Sequence, residues 1–363
     1  MGECSHVLDP QPVKRNRLPE DSLRIEILDP DQYDKWNQFV DQSEQGSVFC
    51  YSWWLDAATK SNFRIYAVIE KNEIVAGFPA AMDAYNKINE PPLTRYLGVL
   101  YREKKASSIS KRASDERKWL KALLKDLQLQ DIVQFCTHHS FSNWLLFRWK
   151  GLKQTTRYTY ILDYRGKTDD DLWQCLSQSK KYRIKKAEKN GIKAIISDDL
   201  NEVYTLAEMS YKRQELKMKY SPADLIILDN AVKNNGNRLI LKAIDDYGRI
   251  HAVVYVVYYR NTAYNLISGS NPALRGKGGH TLVKWEAVRY FLNKVDYFNF
   301  CGSDIRNIEE HVRGYGGTLT PYFHIYNERL MHYKEIRYHF KEMLFHLKSM
   351  VKAFGMKYLA SRN

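Results

Sequence analysis

The pattern of apolar and polar positions divides the chain into short strand-like and helix-like segments. Near the N-terminus, residues 23–28 are predicted to form a strand and residues 31–42 a helix. The stretch FRIYAVIEKNEIVAGFPAAM follows, in which two strand-like runs are joined by Lys71 and Asn72, the length of a hairpin turn. This alternation predicts a mixed α and β protein.

The same order of elements occurs a second time. RLILKAIDDYGRIHAVVYVVYY is again a strand, a polar turn and a strand. Each hairpin is followed by a strand-like piece (TRYLGVLY, TAYNLIS), a basic loop, a helix (115–127, 281–292) and a further strand (DIVQFC, DYFNFC). We therefore predict two copies of one α/β unit that meet near residue 165.

Four segments follow from this pattern. Residues 1–22 are polar and without periodicity, and are predicted to be disordered; residues 23–165 form the first unit and 166–330 the second. Residues 331–363 are predicted to form a basic amphipathic helix. This helix either packs across the second unit or docks on an anionic membrane surface or a partner, and the pattern leaves both open.

The charge of the chain narrows the class of partner. With 56 Lys and Arg against 42 Asp and Glu, the net charge is +14, which favours nucleic acid, a phosphorylated ligand or an anionic membrane face. The longest apolar run, residues 252–259, is too short to cross a bilayer, and the N-terminus lacks a signal-peptide core. We expect a cytoplasmic protein without a transmembrane segment.

Metal chemistry is not expected. The five cysteines are scattered, odd in number and without a CxxC pair, which favours free thiols in a reducing compartment. Cys136, His138 and His139 lie too close together on one segment to close a tetrahedral metal shell.

A basic segment, SQSKKYRIKKAEKNGI, lies at the start of the second unit. Thr168 and Asp171 have capping-box spacing, so one helix is predicted over residues 169–190, ended by Gly191. Its six cations are suited to gripping a polyanion or a phosphorylated substrate, or to forming a solvated face, and the spacing does not decide between these roles.

The glycine-rich loop in SGSNPALRGKGGHTLVKWEAVRYFL joins a predicted strand to a predicted helix. Gly276, Gly278 and Gly279 would let the backbone approach a ligand closely. Arg275 and Lys277 add positive charge beside the free N–H groups at the helix start. The loop is therefore either an anion-binding element or a plain connection.

This loop resembles the pyrophosphate-binding element of the GCN5-related N-acetyltransferases. Arg275, Gly276, Lys277 and Gly278 match its [Q/R]xxGxG/A-type pattern, whereas His280 stands where a small residue is expected. The resemblance implies that Arg275 to Gly279 bind the phosphates of an acyl-thioester donor.

The wider chain resembles the tandem version of that fold, the FemAB-like and BioF-like acyltransferases. Three segments carry the likeness: GSVFCYSWWLDA at 46–57, an R-x-I-x-K-A-x-K-x-G helix from Arg183 to Gly191, and a closing block at 298–326 in which Tyr315 replaces the Phe of an "FGG". The implied fold class is α/β (α+β), with two tandem domains of mixed, largely antiparallel sheets.

The family resemblance also implies roles for the basic positions. Its peptidoglycan members transfer amino acids from aminoacyl-tRNA, so Arg183, Lys186 and Lys189 would hold a phosphorylated acceptor or tRNA. The basic loop at 102–112 occupies the corresponding place in the first unit; it either binds acceptor phosphate or is a mobile surface loop.

Acyl transfer to an amine needs a proton acceptor but no covalent enzyme intermediate, so the lack of a Ser-His-Asp order does not exclude it. Asp304 is the candidate base, and its alternative role is the N-cap of a helix at 305–313. Tyr315 is the candidate acid for a thiolate leaving group, and its alternative role is core packing.

Three functions remain open at this point. The first is an N-acyltransferase with an acetyl-CoA type donor and an amine acceptor on a sugar or cell-envelope molecule, small or lipid-linked. The second is an aminoacyl-tRNA-dependent transferase acting on a peptidoglycan precursor. The third is a non-enzymatic nucleic-acid binder, favoured by charge alone. In each enzyme the donor is a substrate, and no tightly bound cofactor is expected.

Overall fold

The computed structural model describes residues 23–103, 108–302 and 304–332. The strands are β1 (Arg24–Ile27), β2 (Phe63–Glu70), β3 (Glu73–Ala81), β4 (Leu100–Tyr101), β5 (Gln134–Cys136), β6 (Lys153–Asp163), β7 (Lys193–Ile196), β8 (Asn237–Ile244), β9 (Ile250–Tyr259), β10 (Thr262–Ser270), β11 (Tyr297–Asn299) and β12 (Thr318–Tyr326). The helices are α1 (Tyr33–Asp41), α2 (Ser52–Thr59), α3 (Ile109–Asp126), α4 (Leu145–Trp149), α5 (Asp169–Cys175), α6 (Gln178–Lys189), α7 (Leu200–Arg213), α8 (Pro222–Asn235), α9 (Gly279–Phe291) and α10 (Arg306–Val312).

These strands form two sheets. One has the order β1-β2-β3-β4, and the other has the order β5-β12-β6-β11-β10-β9-β8-β7. Neighbouring strands are antiparallel except for the parallel pair β10 and β11. The predicted fold class, a mixed and largely antiparallel α/β protein, is confirmed.

Both predicted hairpins form, β2–β3 and β8–β9, and each carries a register shift just before its turn. In the first the shift falls between Val68 and Ile69, and in the second between Ala243 and Ile244. The order β1–β4, α3, β5 in the first half matches β7–β10, α9, β11 in the second. A shared irregularity at corresponding positions is strong support for two copies of one unit.

The two halves exchange strands. β6 precedes residue 165, yet it pairs with β11 of the second half, with Asp163 opposite Tyr297. β12 comes from the second half, yet it pairs with β5 of the first, with His324 opposite Cys136. The boundary near residue 165 stays a prediction, because β6 and β12 each pair with a strand of the other half.

A shared apolar core also joins the halves. It is built around the segment 46–57, whose Phe49 ring lies 5.0 Å from that of Tyr264 on β10. Trp54 is fully buried, and its indole N–H donates to the Thr94 hydroxyl at 3.0 Å. Helix α2 packs against α8 of the second half. The halves therefore present fixed surfaces to each other.

The structure corrects three predicted elements. Helix α3 begins at Ile109 rather than at residue 115, so the end of the predicted basic loop lies in this helix. Only Leu100–Tyr101 of TRYLGVLY is a strand, because Gly98 takes a φ of +124° and interrupts the extended backbone. The single helix predicted over 169–190 is two helices, α5 and α6, because Leu176 is extended and Ser177 caps a new helix through the Lys180 N–H. The Thr168–Asp171 capping box is confirmed.

Some predictions fall outside the described residues: the disordered segment 1–22, residues 104–107 of the basic loop, and the helix at 331–363 beyond His332. Within the described ranges, no helix is both long and apolar enough to span a membrane.

Candidate functional site

Two adjoining cavities open where β10 and β11 separate. The strands pair only from Thr262 to Tyr264 with Tyr297 to Asn299, and then diverge. The first cavity, about 520 Å³, is called the basic cavity and is lined by Tyr182, Arg183, Lys186, Ser210, Arg213, Gln214, Ser268, Ser270, Arg275, Gly276, Gly278, His280, Thr281, Lys284, Asn307, Ile308 and His311.

Charge is the dominant property of the basic cavity. Its described lining contains five Lys and Arg side chains and no carboxylate. The cations come from three helices and one loop: Arg183, Lys186, Arg213, Arg275 and Lys284. Like charges brought together around a concave surface repel one another unless an anion binds between them. The arrangement therefore favours a phosphorylated ligand.

The glycine-rich loop forms one wall. Asn271 caps a 3-10 turn, Pro272–Lys277, through the Ala273 N–H, and α9 begins directly afterwards. A Cβ atom at Gly276 would meet nothing within 4 Å, so this glycine faces open space. The first turn of α9 also lines the cavity, where its free N–H groups favour an anion.

The other glycines of the loop serve packing. Gly278 has a φ of +92°, and a Cβ there would collide with the Arg183 carbonyl oxygen. A Cβ at Gly279 would lie 2.6 Å from that of His251 on β9. Of the five predicted donor-binding residues, Arg275, Gly276 and Gly278 line the cavity and Lys277 and Gly279 do not.

Helix α6 forms the facing wall. Ile184 and Ala187 are buried, which orients the opposite face of the helix outward. Arg183 and Lys186 line the cavity, whereas Lys189 is exposed and does not. The residues predicted for acceptor binding and those predicted for donor binding thus converge on one cavity.

Arg213, at the end of α7, was not singled out from the sequence. Its guanidinium donates to the Ser270 hydroxyl at 3.4 Å. Burial and the nearby charge of Arg275 lower its pKa. Two arginines facing each other in this way indicate a site for an anion.

A hydrogen-bonded chain runs behind the cavity. Lys180, 5% exposed, donates to Nδ1 of His311 at 2.8 Å, and the hydroxyl of Tyr315 lies 3.4 Å from Nε2 of the same ring. Tyr315 donates to the backbone oxygen of Thr281 at 3.2 Å. His280 stacks on His311 with ring centroids 4.5 Å apart. Tyr315 is buried and does not line either cavity, which fits the packing role better than the acid role.

Burial lowers the pKa values of two side chains in this hydrogen-bonded series, Lys180 and His311. Burial, with Lys284 and Arg183 nearby, lowers the pKa of Lys180 to about 7. Burial and the neighbouring cations also hold the pKa of His311 well below its usual range. Near neutral pH the imidazole is therefore neutral and accepts the hydrogen bond from Lys180.

Lys284 lies where the two cavities meet. It is 4% exposed on α9 and, among the described residues, makes neither a hydrogen bond nor an ion pair. Burial lowers its pKa to about 8, while Cys301 raises it. A lysine in this state supplies a neutral amine near physiological pH.

The second cavity, about 260 Å³, is called the interdomain cavity. It is lined by Leu93, Arg95, Arg157, Ser210, Tyr211, Gln214, Leu216, Tyr220, Asn265, Leu266, Ile267, Ser268, Lys284, Phe300, Cys301, Gly302, Asp304, Ile305, Ile308, Val312 and Tyr322. Since it shares Lys284 with the basic cavity, groups bound in the two cavities would meet there.

Asp304 lines the interdomain cavity. Its carboxylate accepts from the Tyr158 N–H at 3.1 Å and lies 3.6 Å from the Arg157 guanidinium. The alternative that Asp304 caps a helix is wrong, because α10 begins at Arg306 with Ile305 as its N-cap. The carboxylate thus has a partner, and its role as base stays a prediction.

A third cavity of about 520 Å³ lies apart from the predicted residues. Its lining includes Asp41, Glu44, Glu103, His138 and His139. No group of metal-ligating side chains was found among the described residues.

The chain is similar in part to one known protein family. The FemAB family model matches residues 143–222, a segment that includes α6 with Arg183 and Lys186. No protein with a curated description matches the chain.

One solved structure, that of FemX, shows the fold, and two others have a weaker likeness. A crystal structure of FemX has 11% identity and a TM-score of 0.59, covering 83% of this chain and 96% of FemX. A tandem GNAT protein from the clavulanic acid biosynthesis pathway has 11% identity and a TM-score of 0.48, covering 84% and 98%. L-PGS from Bacillus licheniformis has 13% identity and a TM-score of 0.44, covering 84% and 93%.

The family match and the FemX fold confirm the resemblance predicted from the sequence. They support an acyltransferase of the GNAT-like, FemAB-like class.

Proposed function

We propose that this protein is a cytoplasmic N-acyltransferase that modifies an amine of a cell-envelope or sugar-type molecule. The observation that carries the proposal is the basic cavity, in which five cations and the open face of Gly276 surround a space without a carboxylate in its described lining. The phosphates of the donor bind there, and the acyl group extends toward Lys284.

Two donors fit this chemistry. An acyl-thioester such as acetyl-CoA is favoured by the loop from Arg275 to Gly278 at the start of α9. An aminoacyl-tRNA is favoured by the FemAB match over residues 143–222. Both present phosphates next to an activated carbonyl, so the cavity charge alone does not choose between them.

In the proposed reaction, the amine nitrogen bonds to the acyl carbon and the bond from that carbon to sulfur or oxygen breaks. Lys284, in its neutral form, accepts the proton that the amine loses, and the ammonium that results returns this proton to the leaving group. A pKa of about 8 leaves a useful fraction of Lys284 neutral at physiological pH. Tyr315 orients His311 and the turn of α9 rather than touching the reacting atoms.

The test begins with the donor. We expect acetyl-CoA, CoA or an aminoacylated tRNA to raise the unfolding temperature, because a ligand that binds only the folded state stabilises it. Labelled acyl groups from the stabilising donor should then appear on an amine acceptor. A protein stabilised by none of these donors would contradict the proposal.

A control separates this function from nucleic-acid binding by charge alone. Binding through unspecific charge would weaken with salt for every nucleic acid and would not respond to a side chain at Gly276. We expect Gly276→Phe to abolish donor binding at constant net charge. Unchanged tRNA binding by that variant would favour the non-enzymatic alternative.

A further inference from the structure

Arg95 carries an unpaired charge into the interdomain cavity. Its Nε atom is buried without a hydrogen-bond partner, and no ion pair to its guanidinium occurs within the described residues. Burying a cation without an anion is strongly unfavourable. A site that keeps such a residue is therefore incomplete without a ligand of negative charge.

The groups that act most strongly on Arg95 do not include a carboxylate. The groups that act on it electrostatically are Cys301, Tyr211, Tyr322 and Tyr96. Burial raises the pKa of Cys301 to about 12 and also raises that of Tyr322. The Cys301 thiol and the Tyr322 phenol are therefore neutral near pH 7, so they contribute dipoles but do not neutralise the guanidinium.

The other charges of the cavity are already engaged. Arg157 lies 3.6 Å from Glu90 and 3.6 Å from Asp304, so both of these carboxylates pair with Arg157 rather than with Arg95. The remaining cations are Arg95 on one wall and Lys284 at the junction with the basic cavity. Much of the rest of the lining is apolar or aromatic, including Leu216, Leu266 and Phe300.

Arg95 is also held in place. The preceding residue, Thr94, is buried and accepts the indole N–H of Trp54 at 3.0 Å. Leu93 adopts a φ of +60°, which fixes an unusual turn before the arginine. The backbone that carries Arg95 is therefore fixed, and its guanidinium presents a planar fork that suits a carboxylate or a phosphate.

We propose that the interdomain cavity binds an acceptor with an anionic group, a carboxylate or a phosphate ester, held by Arg95. The acceptor amine then points to the junction where Lys284 and the donor meet. This inference rests on the proposed acyl transfer, since it names the substrate class of the same site. A volume of about 260 Å³ admits the reactive end of a larger acceptor rather than a whole donor.

The experiment uses two pairs of probes that differ by the anionic group. L-Lysine is compared with cadaverine, which lacks the carboxylate, and glucosamine 6-phosphate with glucosamine. In at least one pair, we expect the member that carries the carboxylate or the phosphate to stabilise the protein in a thermal-shift titration, and the member that lacks this group not to. Which pair responds distinguishes a carboxylate from a phosphate.

The variants assign that binding to a cavity. Arg95→Met should weaken the binding of the probe that carries the anionic group by about tenfold or more, since a hydrogen bond between charged groups is lost. Arg95→Lys should recover only part of it, because an ammonium lacks the planar fork. Arg275→Met, in the basic cavity, is the comparison variant: a larger loss in Arg95→Met assigns the probe to the interdomain cavity, and a larger loss in Arg275→Met would overturn the proposal.

Stability supplies an independent readout. Arg95→Met removes an unpaired, partly buried charge, so the ligand-free variant should be at least as stable as the natural protein. A loss of stability would mean that Arg95 has a structural role and would overturn the proposal. So would equal binding of both members of each pair. The donor titrations do not depend on Arg95, so failure here with intact donor binding refutes the acceptor assignment alone.

Discussion

The backbone of Gly278 packs directly against the carbonyl oxygen of Arg183, so that a Cβ atom on the glycine would overlap that oxygen. The loop before α9 is thereby in direct contact with helix α6, which holds the two basic walls of the cavity together. The glycines of the loop therefore have different roles, which substitution can separate.

Gly278→Ala should destabilise the protein by about 1–3 kcal/mol, because it combines a left-handed φ with a collision against backbone. Gly276→Val should leave the free energy of unfolding nearly unchanged while it blocks the donor, since its Cβ points into open space. Chemical denaturation and titration with the donor check both. A Gly276→Val protein that binds the donor normally would show that the loop is only a connection.

The wall formed by α6 is tested by charge reversal. Arg183→Glu with Lys186→Glu should weaken the donor by about tenfold or more per cation, because charge-assisted hydrogen bonds are lost. Lys189→Glu is the control, because it also reverses a positive charge on α6, and Lys189 does not line the cavity. Titration calorimetry at two salt concentrations compares them. Equal losses in the double variant and the Lys189 control would mean that only the overall field matters.

Much of this cavity could be predicted from sequence, because its signals are local. A glycine-rich turn between a strand and a helix, and cations at helical spacing, appear in short windows. The repeat was also detectable, because Ile69 and Ile244 occupy corresponding places before their turns.

The remaining features depend on contacts distant in sequence. The break after α5 depends partly on the Ser177 N–H donating to the Gly314 carbonyl at 3.0 Å, which no local pattern reveals. The exchange of β6 and β12 depends on pairing between strands that are far apart in the sequence, such as β12 with β5. Lys284 was overlooked since lysine is usually solvated; its only sequence signal is its position between Val283 and Trp285 on a largely buried helix.

Tyr315→Phe distinguishes an acid from a positioning residue. Because the hydroxyl is committed to the Thr281 carbonyl behind the cavity, we expect the variant to retain turnover within about tenfold and to lose about 0.5–1.5 kcal/mol of stability. Steady-state kinetics and thermal unfolding provide the measurements. A much larger fall in kcat with unchanged donor binding would restore the acid role.

Lys284 should make the stability of the protein depend on pH. Its pKa is lowered to about 8 in the folded state, so between about 8 and its normal value the unfolded chain holds more protons. The free-energy cost of burying the charged form of Lys284 is fully present below pH 8 and disappears as the pH rises toward the normal pKa of lysine. Lys284→Met should stabilise the protein by about 1–4 kcal/mol at pH 7 and flatten this rise. Denaturation at several pH values provides the measurement. A variant less stable than the natural protein at pH 7 would contradict the burial of an unpaired lysine.

The pH dependence of turnover tests Lys284 as the base. Only its neutral form accepts a proton, so kcat/KM should rise with pH through about 8 and then level until the acceptor amine titrates. Lys284→Met should remove that rise and reduce kcat by about 100-fold or more, the usual contribution of a general base. Donor affinity should fall little, because Arg183, Lys186 and Arg275 remain. The opposite slope, with activity lost as pH passes 8, would mean that the charged form acts and would assign Lys284 to stabilising the oxyanion.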